Sequence, residues 1–220
     1  MTPTDELRET ILPVHHRILE HPFLTGMTDG TLPEEAFARY VVQDALFLVE
    51  YARALALCAA RAPEAETLRM FCSHATEAID VERDLHDRLM ADLGIEPPDV
   101  DTTLLTPTTL AYGSFLVSAC AVRDRHEALA AMVPCYWIYR EVGLHLVESG
   151  SPDPRYQQWI DTYAGEEFIQ AVEGALHACN RASAHLDADQ RRSANAHALT
   201  AARYEWMFWD SALRFETWPV

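Results

Sequence analysis

One short stretch of the chain, VPCYWIYRE at residues 133–141, places a thiol where chemistry could occur. A cysteine thiolate is a strong nucleophile toward electron-poor carbon, so Cys135 is a candidate for covalent catalysis. Pro134 inside a helix leaves a carbonyl unbonded and bends the axis, which would open room beside the thiol, and Tyr139 follows one turn later. Taken alone, a cysteine in an apolar helix is more often a small core residue.

Two carboxylates interrupt apolar helical segments elsewhere in the chain. Asp44 lies in VVQDALFLVEYARAL and shares a helical face with Phe47. Glu205 lies between Tyr204 and Trp206 in AARYEWMFWDSALRF, and a carboxyl among aromatic rings is a candidate for a raised pKa, as a proton donor requires. Each acid could equally make a hydrogen bond where two helices cross.

Two further tyrosines lie beside small residues. Tyr112 precedes Gly113, and Tyr163 precedes Ala164 and Gly165. Small neighbours would let a flat ligand approach the ring, although each tyrosine could also belong to the core with its hydroxyl bonded. The remaining residues of 133–141 are expected to pack or to pair on the helix surface.

Histidine is frequent enough for metal binding to be considered, since ten are present. The di-iron helical bundles use Glu-x-x-His, and this spacing does not occur here. Glu-x-x-x-His occurs three times, at Glu82/His86, Glu141/His145 and Glu173/His177. That spacing is typical of structural pairs one helical turn apart, so no metal and no cofactor is expected. Spacing alone leaves open a haem ligand among His15, His16 and His21.

These side chains must be positioned by helices, because apolar residues recur at three- and four-residue spacing and alternating runs are missing. The fold class is therefore all-α, and residues 1–220 are expected to form a single domain. The predicted helices span about 5–20, 34–61, 64–92, 107–123, 125–148, 153–182 with a break near Gly165, and 188–216. Residues 94–106 are predicted to form the longest loop.

The composition excludes several functions. With 34 acidic and 17 basic residues the formal charge is −17, so a nucleic-acid partner is not expected. All the basic residues are arginine, which excludes any mechanism that needs a lysine amine. Without a secretory signal or a run of about eighteen apolar residues, no membrane association and a cytoplasmic location are expected. The odd number of cysteines, five, suggests reduced thiols.

Three segments together resemble the thiaminase II (TenA) family: HPFLTGMTDGTLPEEAFARYVVQDALFLVEYARAL, CYWIYREVG and YEWMFWDSA. The resemblance covers nearly the whole chain, and the spacing between the three segments also matches that of the family. It implies a haem-oxygenase-like helical bundle and a homotetramer. The implied activity is hydrolysis of pyrimidines related to thiamin, either deamination of 4-amino-5-aminomethyl-2-methylpyrimidine to the hydroxymethyl form or cleavage of thiamin itself.

The resemblance also implies roles for individual residues. Cys135 is similar to the nucleophile of the family, and Glu205 to a catalytic acid. The implied substrate-binding residues are Asp44, Phe47, Tyr112, Tyr139 and Tyr163. Many members have tyrosine where this chain has Phe47, so a hydroxyl hydrogen bond is absent there. Some relatives lack the active-site cysteine, and with Cys135 the chain resembles the branch of the family that has it.

The same sequence is compatible with other functions. A non-catalytic pyrimidine-binding protein or a haem or iron protein could use this architecture.

Tyr136 and Trp137 are expected to pack away from the site, and Arg140–Glu141 is interpreted as a structural ion pair. Whether thiamin or the aminomethyl pyrimidine is the working substrate stays open, because both leaving groups depart from the same carbon.

Overall fold

The structure is a computed structural model that describes the backbone of residues 1–95 and 103–220, and the side chains of the same residues except 81–87. Within those ranges the regular structure is helical. The helices are α1 (Pro3–Leu19), α2 (Pro22–Asp29), α3 (Glu34–Ala60), α4 (Ala65–Asp92), α5 (Pro107–Val122), α6 (Arg125–Val147), α7 (Pro154–Tyr163), α8 (Glu166–Ala182) and α9 (Ala188–Leu213).

The predicted helices are confirmed with small boundary differences, and the break near Gly165 separates α7 from α8. The prediction missed α2, which has only eight residues. Its start and end carry recognisable signals, since His21 caps the first turn, Pro22 opens the helix and Gly30 ends it in the left-handed region at φ 75°. Within the predicted 94–106 loop, residues 96–102 lie outside the described ranges.

The helices form a bundle around an aromatic core. α3 packs against α4 and α5, and α6 packs against α7, α8 and α9. Tyr40, Tyr112, Trp159 and Trp209 are fully buried where these groups of helices meet. Each ring of this size buries roughly 150–250 Å². In the part of the chain described, no helix combines the length and apolarity needed to cross a membrane.

Gly143 marks the place where α6 meets the end of α7. A Cβ at Gly143 would lie 2.6 Å from the carbonyl carbon of Tyr163 and 2.7 Å from the amide nitrogen of Ala164. Backbone atoms cannot rotate away from such a clash, so glycine is required for this approach. The contact sets the position of Tyr163 relative to α6.

We expect Gly143→Ala to destabilise the protein by about 2 kcal/mol or more, because two helices must separate to admit the methyl group. The corresponding fall in Tm, followed by circular dichroism, is roughly 4–8 °C for a chain of this size. Gly174→Ala is the matched control, since Gly174 also lies within a helix, α8, and its added Cβ meets the flexible end of the Met70 side chain, 2.8 Å from the sulfur. Both changes bring the same gain in helix propensity, so their difference isolates the clash with the backbone. A Gly143→Ala protein as stable as Gly174→Ala would contradict the packing described.

Candidate active site

A cavity opens between α3, α4, α6, α7 and α8, with about 560 Å³ of empty volume including its mouth. The sequence-predicted residues that line it are Cys135, Asp44, Phe47, Tyr139 and Tyr163. They come from three different helices, so only the tertiary structure brings them together. The combination of a thiol, a carboxylate and aromatic walls suits a flat, polar-edged ring.

The other two predicted site residues, Tyr112 and Glu205, lie behind Cys135 and not among the described residues that line the cavity. The Tyr112 hydroxyl donates to Glu205 Oε1 at 2.5 Å. Cys135 is hydrogen-bonded to both of these side chains. The thiol therefore faces the cavity on one side and a buried acid on the other.

Glu205 has the environment that the sequence predicted. Its side chain is 1% exposed. Burial raises the pKa of Glu205 to about 8, the hydrogen bonds from Tyr112 and Cys135 oppose the rise, and the charge of Asp44 adds to it. At neutral pH Glu205 is mainly a carboxylic acid with a proton to donate.

Asp44 is held by a buried tyrosine that sequence reasoning missed. The Tyr40 hydroxyl donates to Asp44 Oδ2 at 3.2 Å and lies 3.2 Å from the Tyr139 hydroxyl. The Trp159 indole N–H donates to the Tyr40 oxygen at 3.2 Å. Because Tyr40 gives its single hydroxyl proton to Asp44, Tyr139 is the donor in the bond between the two tyrosines. Tyr40 is four residues before Asp44, so helical spacing could have identified it.

Aromatic rings form the flat walls of the site. Phe47 stacks on Tyr112 with ring centroids 4.8 Å apart and on Tyr51 at 5.8 Å. Tyr139 and Tyr163 are 4.8 Å apart on the other side. Burial raises the pKa of Tyr112 and of Tyr139 well above the usual range, so both keep their hydroxyl protons.

The expectation that Tyr136 packs away from the site is wrong. Tyr136 lines the cavity, and its hydroxyl is 2.8 Å from His74 Nδ1 on α4. α6 is continuous through Pro134, and the adjacent residues Cys135 and Tyr136 both line the cavity. Trp137 is buried against the His15 ring at 4.8 Å, as expected for a packing residue. Nothing in the spacing of α4 marks His74.

The surface pairs near the site are structural. The Arg140 guanidinium donates to Glu141 Oε1 at 2.8 Å, which confirms the predicted pair. Arg8 also approaches Glu141 at 3.9 Å and lies over the Trp137 ring. These contacts attach α1 to α6 on the outside of the bundle.

Of the histidines considered as haem ligands, His21 is engaged by protein, whereas neither ring nitrogen of the buried His15 has a hydrogen-bond partner among the described residues. His21 Nδ1 accepts from the Phe23 backbone N–H, and its Nε2 is 3.7 Å from Asp210. Burial lowers the pKa of His15 to about 4. Of the three Glu-x-x-x-His pairs, Glu82/His86 falls among the residues whose side chains are not described. In the described part, the one group of three potential ligands is Asp124, His126 and Glu127 at the start of α6.

The sequence matches the model of the TENA/THI-4/PQQC family over residues 7–215. The "Thiamine biosynthesis multifunctional protein ThiED" of Corynebacterium efficiens is 37% identical over 201 residues, which cover 90% of this chain and 26% of that protein. The "Aminopyrimidine aminohydrolase" of Bacillus subtilis is 33% identical over 198 residues, covering 90% of this chain and 84% of that protein. The chain thus spans about a quarter of the multifunctional relatives that it matches.

Solved structures agree with the sequence matches. A structure described as "TenA homologue protein from P.horikoshii OT3" superposes with a TM-score of 0.88 at 27% identity, covering 97% of this chain and 99% of that one. A domain of unknown function with a heme oxygenase-like fold from Shewanella denitrificans gives a TM-score of 0.74 at 16% identity, covering 96% and 92%. The predicted haem-oxygenase-like helical bundle is confirmed.

Proposed function

Because the chain belongs to the TENA/THI-4/PQQC family, we propose that it is a thiaminase II-type hydrolase that acts on carbon–nitrogen bonds of thiamin-related pyrimidines. The reaction replaces the amine or thiazole substituent on the exocyclic methylene by a hydroxyl and gives 4-amino-5-hydroxymethyl-2-methylpyrimidine. For the aminomethyl substrate, one water is consumed and one ammonia is released. The name of the Bacillus subtilis relative supports this activity.

The observation that carries the proposal is the position of Cys135. Its thiol lies between the aromatic-walled cavity and the buried Glu205, to which it is hydrogen-bonded. A nucleophile needs access to a substrate and a neighbouring group that exchanges protons. Cys135 has both, whereas the buried cysteines at 58, 120 and 179 are not among the described residues that line this cavity.

Binding of the pyrimidine comes first. Asp44, fixed by Tyr40, offers its carboxylate to the amino group or a protonated nitrogen of the ring. Phe47 provides a flat apolar face, and stacking on it needs no hydroxyl. Tyr139 and Tyr163 close the opposite side and exclude water from the ring.

The chemical step then forms and breaks one bond at a time. The Cys135 sulfur adds to a ring carbon, and the ring electrons move to a ring nitrogen, which takes up the thiol proton and bonds to Asp44. Loss of aromaticity lets the substituent leave the methylene, with Glu205 supplying the proton that an amine needs to depart as ammonia. Water adds to the methylene carbon and returns a proton to Glu205. Departure of the sulfur restores the aromatic ring and the thiol.

The test is ammonia release from 4-amino-5-aminomethyl-2-methylpyrimidine, with the hydroxymethyl product identified by mass spectrometry. Turnover with formation of this product supports the proposal. Tight binding of the hydroxymethyl pyrimidine without turnover of either substrate would instead support a binding protein. Comparing kcat/KM for the aminomethyl pyrimidine and for thiamin then decides which reaction is the main one.

The proposal also covers the domain organisation, the cellular location and the oligomeric state of the enzyme. We take residues 1–220 as one domain, since one aromatic core joins α3, α6 and α9. Location in the cytoplasm and assembly as a homotetramer follow the family resemblance. Cell fractionation and light scattering of the purified protein test these two points.

Tyr40→Phe is expected to lower kcat/KM about tenfold, because Asp44 and Tyr139 both lose a hydrogen-bond partner that positions them. Tyr40 does not line the cavity among the described residues, so the ring of the substrate should still stack. Tyr156→Phe is the control, since this buried hydroxyl bonds Leu32 far from the site. Equal kcat/KM in both variants would contradict a positioning role for Tyr40.

A further inference from the structure

A second hollow lies beside the cavity, between α4, α7 and α8. It is called here the outer chamber and has about 1270 Å³ of empty volume including open solvent. The two spaces share five lining residues, namely His74, Glu77, Tyr163, Phe168 and Ala171. The two spaces are therefore adjacent, and a substituent that projects from a ring bound at Cys135 toward Tyr163 points at the outer chamber.

The outer chamber carries negative charge. Glu77 and Glu167 both line it, and its described lining includes no arginine. The histidine on the shared wall, His74, adds no positive charge at neutral pH, because burial lowers its pKa. With no lysine anywhere in the chain and a formal charge of −17, the wider surface offers little compensation.

Two aromatic rings lie on the border between the cavity and the outer chamber, beside these carboxylates. Tyr163 and Phe168 form an edge-to-face pair with centroids 5.1 Å apart, and both border the inner cavity and the outer chamber. Aromatic faces beside carboxylates favour a flat cation and disfavour an anion. The thiazolium ring of thiamin is a flat cation.

We infer that the outer chamber receives the leaving-group half of the substrate and rejects substrates that carry a phosphate on that half. This inference rests on the proposed function and deepens it. The pyrimidine reacts at Cys135, and its departing substituent points away from the thiol, through the wall shared by the two spaces. The hydroxyethyl arm of thiamin then lies near Glu167, where a phosphate ester would meet like charge. A phosphatase reaction must therefore supply thiamin to this enzyme from its phosphorylated forms.

The experiment compares kcat/KM for thiamin and for thiamin monophosphate. One carboxylate at about 7 Å from a phosphate charge costs roughly tenfold at an intermediate dielectric, so two carboxylates should give the wild type about a hundredfold preference for thiamin. Glu167→Arg should reduce this preference at least tenfold, mainly through KM for the phosphorylated substrate. Added salt should also reduce it in the wild type.

Glu173→Arg is the matched control, because Glu173 is exposed on the same helix but does not line the outer chamber among the described residues. It makes the same change in net charge and should leave the preference unaltered. A wild-type preference near one, or the same fall in both variants, would overturn the inference.

A binding measurement separates this inference from the proposed function. Dissociation constants of thiamin and thiamin monophosphate for Cys135→Ala, alone and combined with Glu167→Arg, do not depend on turnover. Absence of turnover in the wild type refutes the hydrolase, while the ratio of these constants still decides the inference. Equal affinity for the two ligands in Cys135→Ala would refute charge selection by the outer chamber even if the hydrolase is active.

Discussion

Cys135→Ala is expected to lower ammonia release from the aminomethyl pyrimidine by about 10⁴-fold or more. The reason is that no other described residue lining the cavity has a thiol, so the covalent step has no substitute. Steady-state ammonia assays and intact-protein mass spectrometry after rapid quenching are the measurements. The wild type should show a mass increase from the bound pyrimidine that is missing in Cys135→Ala.

Cys72→Ala is the control for this result, since Cys72 is exposed on α4 and does not belong to the described cavity wall. Its activity should equal that of the wild type. The variant Cys135→Ala also loses the hydrogen bonds to Tyr112 and Glu205, so its fold is checked by thermal melting. A folded Cys135→Ala protein that retains wild-type ammonia release would refute the nucleophile assignment.

Glu205→Gln is expected to lower kcat for the aminomethyl pyrimidine by about 10²–10⁴-fold, because glutamine keeps the shape of the side chain but has no transferable proton. The loss should be smaller for thiamin. Thiazolium leaves as a neutral thiazole without gaining a proton, whereas an amine must be protonated to leave as ammonia. Comparing the two substrates therefore separates proton donation from a general disturbance of the site. An equal loss for both would contradict the acid role.

The pH dependence gives a second readout for Glu205. Only the protonated form donates, so wild-type kcat/KM for the amine should fall as the pH rises above about 8, where Glu205 loses its proton. This falling limb should be absent from the Glu205→Gln profile. A wild-type profile that stays level to pH 9 would argue against the raised pKa.

The same raised pKa predicts a change in stability. The ordinary pKa of the carboxyl is 4.5 and the folded value is about 8, so the folded state holds the proton more tightly. The stabilisation from this proton is complete below pH 4.5 and is lost as the pH rises to about 8, up to roughly 4 kcal/mol. Because glutamine does not titrate, the Glu205→Gln protein does not lose stability in this way as the pH rises. Its free energy of unfolding relative to the wild type should rise between pH 5 and pH 8, as urea denaturation at each pH would measure.

Most of the fold could be predicted from the pattern of the sequence. Long helices such as α3 and α9 have many turns of three- and four-residue apolar spacing, so local periodicity identifies them. The break at Gly165 was predicted for the same reason, because glycine interrupts that pattern. The eight-residue α2 was missed because two turns carry too little periodicity, although its proline and glycine signals were present.

Candidate site residues could be predicted where a polar group interrupts an apolar face. Asp44 and Glu205 were identified in this way, and both are buried. His74 could not be identified, because its partner Tyr136 is 62 residues away on another helix. Tyr136 is expected to pack elsewhere because it is adjacent to Cys135 on a helix and so points in a different direction, yet both residues line the cavity.

The sequence by itself determined the helices, their order and the buried acids, since these depend on local spacing and on the cost of burying charge. Only the tertiary structure decided that Cys135 stands between the cavity and Glu205, and that the outer chamber, lined by Glu77 and Glu167, lies beside the cavity. The physical reason is that hydrogen bonds and cavity walls join residues from separate helices, and the rotation of each helix about its axis is set by packing across the whole bundle.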